Sequence, residues 1–136
     1  MKLKRFLIGF GLALILAGQA SYAQNINKLH AKAEKGKPEA QNELGLCYEQ
    51  GLGVATNYVE AVKWYRKAAE QNDAFAQYNL GRCYDNGQGV TTNDVEAVKW
   101  YRNAAEHNII YTKSNFRACY EQGLGVATNY VEAVKW

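Results

Sequence analysis

Apolar residues in this chain recur at helical spacing, and the same spacing returns further along. Ala40, Leu44, Cys47 and Tyr48 stand at i, i+4, i+7 and i+8, which puts them on one face of a helix. Pro38 suits the first turn of that helix, where no amide donor is needed. Gly51 can end it in a left-handed conformation. Gly53 and Val54 continue the connection to a second helix. Asn57 is placed to cap that helix, with Glu60 three residues on as capping-box partner; Asn93/Glu96 and Asn129/Glu132 repeat the arrangement. Ala61, Trp64, Tyr65, Ala68 and Ala69 make the apolar face of the second helix.

The whole pattern has a period of 36 residues. Cys47, Cys83 and Cys119 share one repeat position, as do Tyr48, Tyr84 and Tyr120, and Trp64, Trp100 and Trp136. Residues 37–72 and 73–108 agree at 23 of 36 positions, and 119–136 is identical to 47–64 throughout. A pair of short helices cannot bury its own apolar face, so each unit must stack on its neighbour. The predicted fold is therefore all-α, an α/α solenoid of 36-residue helix-turn-helix repeats. Its units are a capping half-repeat over 24–36, a first repeat over 37–72, a second over 73–108 and a degenerate third over 109–136. In the capping segment Leu29, Lys32, Ala33 and Glu34 take the places of Tyr65, Ala68, Ala69 and Glu70.

The residues A-Q-x-x-L-G-x-x-Y-x-x-G-x-G-V over Ala40 to Val54, followed by E-A-V-K-W-Y-R-x-A-A over Glu60 to Ala69, resemble the Sel-1-like repeat. They return at Ala76 to Val90 and Glu96 to Ala105. The resemblance implies a right-handed superhelix similar to tetratricopeptide repeats, and a role as adaptor or scaffold, often in bacterial envelopes. It fixes no catalytic residues. It also implies that the first helix of each unit lines a concave groove. On those helices Asn42, Leu46 and Glu49 become Tyr78, Arg82 and Asp85 in the next unit, while neighbouring Leu44, Gly45, Cys47 and Tyr48 keep their kind. These six variable positions are the expected binding surface for a segment of a partner protein, and all six are expected to be free of packing duties.

The third repeat departs from the pattern. Arg117 replaces Gly45 and Gly81, Thr112 replaces Ala40 and Ala76, and Lys113 replaces Gln41 and Gln77. A long arginine where two helices should touch implies a shift or a side chain that snorkels to water. The chain stops at Trp136, eight residues short of a full period, so the helix from Asn129 is expected to fray, and the end reads either as a degenerate cap or, the preferred reading, as a truncated array.

The first residues read as an address. Lys2, Lys4 and Arg5 precede an apolar run from Phe6 to Ala17, and Ser21-Tyr22-Ala23 offers a cleavage site. The apolar run is short for a membrane span. Residues 1–23 are thus expected to be a signal peptide, the protein to be periplasmic or extracellular, and no stable membrane insertion to follow cleavage. The formal charge of +3 comes wholly from Lys2, Lys4 and Arg5. The remainder is formally neutral, with no basic stripe of the kind nucleic acid requires.

Candidate chemistry is sparse. Gly51-Leu52-Gly53 lacks the lysine of a phosphate loop and follows a helix rather than a strand. His30 and His107 lie on different units without ligands at metal-site spacing, so neither a metal nor a cofactor is expected. Cysteine-rich relatives of the resembling family have been associated with β-lactamase-like or penicillin-binding activity. Here, however, Ser114 is followed three residues later by Arg117 rather than lysine, and no enzyme is expected. Equivalent cysteines of stacked repeats should lie about 8–10 Å apart, beyond the roughly 7 Å a disulfide spans. They are expected to act as small core residues. Phe75, Tyr78 and Tyr111 break the repeat, and one exposed platform of all three would point to glycan or peptidoglycan-fragment binding instead.

Overall fold

A computed structural model describes residues 24–107 and 110–123. Helix α1 covers 24–34. It is followed by α2 (Pro38–Gln50), α3 (Tyr58–Ala69), α4 (Ala74–Asn86), α5 (Asp94–Glu106) and α6 (Ile110–Gln122). Among the described residues there is no strand. The segment expected to be a signal peptide, the helix expected from Asn129 and Trp136 lie outside the described residues.

Consecutive helices pack on one another, which is the nearest-neighbour order of an α/α solenoid. Three apolar clusters follow along it. Ala33, Ala40, Leu44 and Trp64 join α1, α2 and α3. Val62, Tyr65, Leu80, Cys83 and Trp100 join α3, α4 and α5. Val98, Tyr101 and Cys119 join α5 to α6. Tyr65, Tyr101, Leu44 and Leu80 are fully buried. The glycines of the first helices make the close approach possible. A Cβ on Gly45 would stand 2.5 Å from Tyr65 Cε1, and one on Gly81 would stand 2.7 Å from Tyr101 Cδ1. Arg117, in the same repeat position, is exposed and its Nε donates to Glu121 Oε1 at 2.9 Å. This is the snorkelling alternative.

The helix ends follow the sequence with one correction. Pro38 opens α2, and Gly51 and Gly87 end α2 and α4 at φ 70 and 66. Asn57 and Asn93 accept from the amides of Glu60 and Glu96 through their side chains. The reciprocal half of the capping box is not made. The Asn57 amide already donates to the Tyr48 carbonyl at 2.8 Å, and that of Asn93 to Tyr84 at 3.0 Å. Each cap is thus tied to the end of the preceding helix. Glu60 turns instead to Lys63 and Glu96 to Lys99, at 3.4 and 3.6 Å.

Helix α1 is amphipathic in a particular way. Ala33 is buried and His30 meets the Trp64 ring edge-on at 5.3 Å. Lys28 and Lys32 are exposed, and they occupy the repeat positions at which Trp64 and Ala68 are buried one unit on.

Candidate functional site

The six residues expected to bind a partner lie on α2 and α4, and the structure shows what else they do. Asn42 Oδ1 accepts from Asn79 Nδ2 at 3.0 Å, linking the two first helices. Glu49 accepts from both Tyr65 Oη and Arg82 Nη2. Leu46 packs against the central apolar cluster. Asp85 Oδ2 accepts from Tyr101 Oη at 3.1 Å. Tyr78 sits 6.0 Å from the Tyr101 ring, with the Arg82 guanidinium at 6.0 Å from its own face. The expectation that these positions are free of packing duties is therefore corrected. Asn42, Leu46, Glu49 and Arg82 make contacts between repeats, whereas Tyr78 and Asp85 meet Tyr101 within their own repeat.

These contacts set the electrostatics. Burial alone would lower the Arg82 pKa, but the Glu49 carboxylate beside it more than offsets that and holds it up. Burial, with Glu49 accepting its proton, pushes the Tyr65 phenol well up; burial with Asp85 does the same for Tyr101. Phe75, Tyr78 and Arg82 are spaced i, i+3, i+7 along one side of α4. Phe75 is 62% exposed, the others half-buried. The platform required for a glycan reading is incomplete on the described residues: Tyr78 leans on Tyr101, and the side chain of Tyr111 lies outside them.

Sequence reasoning missed a second polar feature. Gln41 and Gln77 are buried, and their Nε2 atoms donate to the carbonyls of Ala33 and Ala69 at the end of the preceding helix, at 3.0 and 3.3 Å. Their signal was a glutamine repeated inside an apolar face.

Among the described residues no cluster of His, Cys, Asp and Glu could hold a metal. Ser114 is exposed on α6. All three cysteines are free thiols. Cys83 and Cys119 are buried in the core, as expected of them, whereas Cys47 is half-buried because the slot beside it on α1 and α2 is open. Burial raises the Cys83 and Cys119 thiols from 9.0 to about 11, and raises Cys47 as well, away from the thiolate a nucleophile needs.

A pH dependence follows. The folded chain keeps its thiol protons where the unfolded chain begins to lose them. Stability is then fully present below pH 9.0 and falls as the pH climbs toward about 11. The loss is at most about 3 kcal/mol per buried thiol. Urea midpoints measured across that range should decline, and the decline should be shallower in a Cys83→Ala, Cys119→Ala chain. A level midpoint would contradict this account.

The comparisons agree with this architecture. The Sel1 repeat pattern matches residues 38–73, 74–109 and 113–136. The crystal structure of a protective antigen from uropathogenic Escherichia coli, displaying an SLR fold, superposes with a TM-score of 0.83 at 39% identity. That match covers 85% of this chain and 25% of the antigen. A Sel1 repeat protein from Oxalobacter formigenes superposes with a TM-score of 0.82 at 42% identity, over 93% of this chain and 51% of the other. The chain thus spans about a quarter and about half of these two proteins. No curated protein matches it. Among the described residues no helix is long and apolar enough to cross a membrane.

Proposed function

Since the chain belongs to the Sel1 repeat family, whose solenoids serve generally as protein-interaction scaffolds, we propose that it is an adaptor of the cell envelope. It takes an extended segment of a partner protein across the first helices α2 and α4. The observation that carries this reading is a row of three side chains on α4 that reach solvent in whole or in part. Phe75, Tyr78 and Arg82 stand one turn apart there, next to the Asn42–Asn79 amide pair. Aromatic and arginine side chains supply most of the energy at protein interfaces, and Asn42, the less buried member of the amide pair, carries an amide that a peptide backbone can use. The basic leader, its apolar run and the Ser21-Tyr22-Ala23 site support an exported location.

Arg82 is held by Glu49, so replacing it would disturb the stacking as well as the surface. Phe75 and Tyr78 separate the two effects better. Peptides selected on the chain from a display library should bind a Phe75→Ala, Tyr78→Ala chain at least tenfold more weakly, about 1.4 kcal/mol. The double variant should melt somewhat lower because Tyr78 packs against the Tyr101 cluster, whereas a Phe75→Ala chain, which keeps that contact, should bind more weakly and melt with the parent. Peptides that hold the double variant as tightly as the parent would remove α4 from the binding surface.

A further inference from the structure

The last turn of α4 carries chemistry that the other repeats lack. Asn86 is the one asparagine of the chain that is followed by glycine. Gly87 has no Cβ to shield its peptide nitrogen, so that nitrogen can attack the carbonyl carbon of the Asn86 side chain. The equivalent pairs in the first and third repeats are Gln50–Gly51 and Gln122–Gly123. A glutamine there must close a larger ring and does so far more slowly.

The fold decides whether the attack can happen. Asn86 ends α4 and is exposed. Gly87 caps the helix at φ 66 and its amide donates to the Cys83 carbonyl; the Gln88 amide donates to the same carbonyl at 3.0 Å. While those bonds hold, the Gly87 nitrogen is engaged and the attack waits. The guard is therefore one turn, tied to a single carbonyl. None of Asn86, Gly87 and Gln88 is buried, and the side chain that lies close over Gly87 is that of Thr92, itself exposed. The firm anchors lie to either side: the Asn93 amide on the Tyr84 carbonyl, Asp85 on the Tyr101 hydroxyl, and Gly89 against the backbone of Tyr58. The turn can open while those anchors hold, and exposed helix ends open at a small part of the free energy of global unfolding.

We infer that Asn86 is a site of spontaneous deamidation in the folded chain. The Gly87 nitrogen gives up its proton and bonds to Cγ of Asn86; the Cγ–Nδ2 bond breaks, and ammonia leaves with that proton. Water then opens the succinimide at one carbonyl or the other, leaving an aspartate or an isoaspartate. Either product sets a carboxylate beside Asp85 at the C-terminal end of α4, where the helix dipole disfavours negative charge. Isoaspartate also lengthens the main chain by a methylene, so the Gly87 amide no longer meets the Cys83 carbonyl in its helical place. Asn86 stands four residues beyond Arg82, on the side of α4 that bears Phe75 and Tyr78. The modified chain thus gains a negative charge at the end of that row. Its effect on a partner rests on the adaptor reading, whereas the modification does not.

The test follows the 136-residue chain at neutral pH, folded in buffer and unfolded in guanidinium, by mass spectrometry of its proteolytic fragments. Methylation by an isoaspartate-specific methyltransferase is the second readout. The fragment with Asn86 should convert in both samples, before any other asparagine in the folded one. Folding should slow it roughly tenfold to a hundredfold, about 1.4–2.8 kcal/mol of local opening. An Asn86→Gln chain should keep that fragment unchanged, and the converted chain should melt below the parent. Slowing beyond about a thousandfold, about 4.1 kcal/mol, overturns the inference, because the turn then opens only with the whole fold. So does a folded chain that converts first at another asparagine, or an unfolded chain that does not convert at Asn86.

Discussion

Replacing Trp100 with alanine is expected to cost about 3–5 kcal/mol, the range for removing a large aromatic side chain from a packed core. The residue is 7% exposed and sits in the cluster that joins α5 to α3 and α4. Its loss opens the junction between the first and second repeats, not just one helix. The Lys99 ammonium at 5.0 Å from the ring loses its partner as well, worth about 0.5–1 kcal/mol at a surface site. A domain of this size has roughly 5–15 kcal/mol in all, so the variant should approach the edge of folding. Val95, on the same helix, is 64% exposed, and Val95→Ala should stay within about 0.5 kcal/mol. Urea unfolding followed by circular dichroism compares them directly. Similar midpoints for the two variants would mean that the junction does not hold the repeats together.

Much of this core could be read from the sequence, because packing repeats with the period. Trp64 and Trp100, Tyr65 and Tyr101, and Leu44 and Leu80 are buried at equivalent places. The caps Asn57 and Asn93 were equally legible, since a cap acts locally. The pairs on the candidate surface were not. Asn42 meets Asn79 over 37 residues and Glu49 meets Arg82 over 33, so neither pair keeps the period of 36. Comparing aligned positions shows that they vary, and conceals that they touch. The missed half of the capping box has a similar cause: the Asn57 amide is taken by a carbonyl from the preceding helix, which no local motif can display.

A Gly89→Ala chain should be the second most damaged, and a companion variant isolates the reason. Gly89 has φ +71, and an added Cβ would run into the backbone carbonyl of Tyr58, with the Val59 amide nitrogen 2.9 Å away. Backbone cannot swing aside as a side chain can. Gly36 has φ +86 and nothing within 4 Å of its would-be Cβ. Gly36→Ala therefore carries only the cost of a left-handed L-residue, about 1–2 kcal/mol. Gly89→Ala carries that and an overpacking cost of about 1–3 kcal/mol besides. Thermal unfolding should rank them in that order. Equal losses would show that the second connection does not rest on the start of α3.

The hydrogen bonds between helices have a kinetic consequence. Tyr65 reaches Glu49 and Tyr101 reaches Asp85 over 16 residues; Arg66 reaches Tyr84 and Arg102 reaches Tyr120 over 18; Gln41 and Gln77 reach back only 8. Loops this short close cheaply, and chains dominated by such contacts fold fast. Each link can therefore form as soon as a few more turns of polypeptide have emerged, without waiting for the far end. A chain delivered N-terminus first, from a ribosome or through a pore, would condense behind its point of exit one helix at a time. The Asn42–Asn79 and Glu49–Arg82 pairs span roughly twice that length. Both are nevertheless complete once Arg82 has emerged, before Tyr101 or Tyr120, so the surface on α2 and α4 can take its form while α5 and α6 are still being delivered.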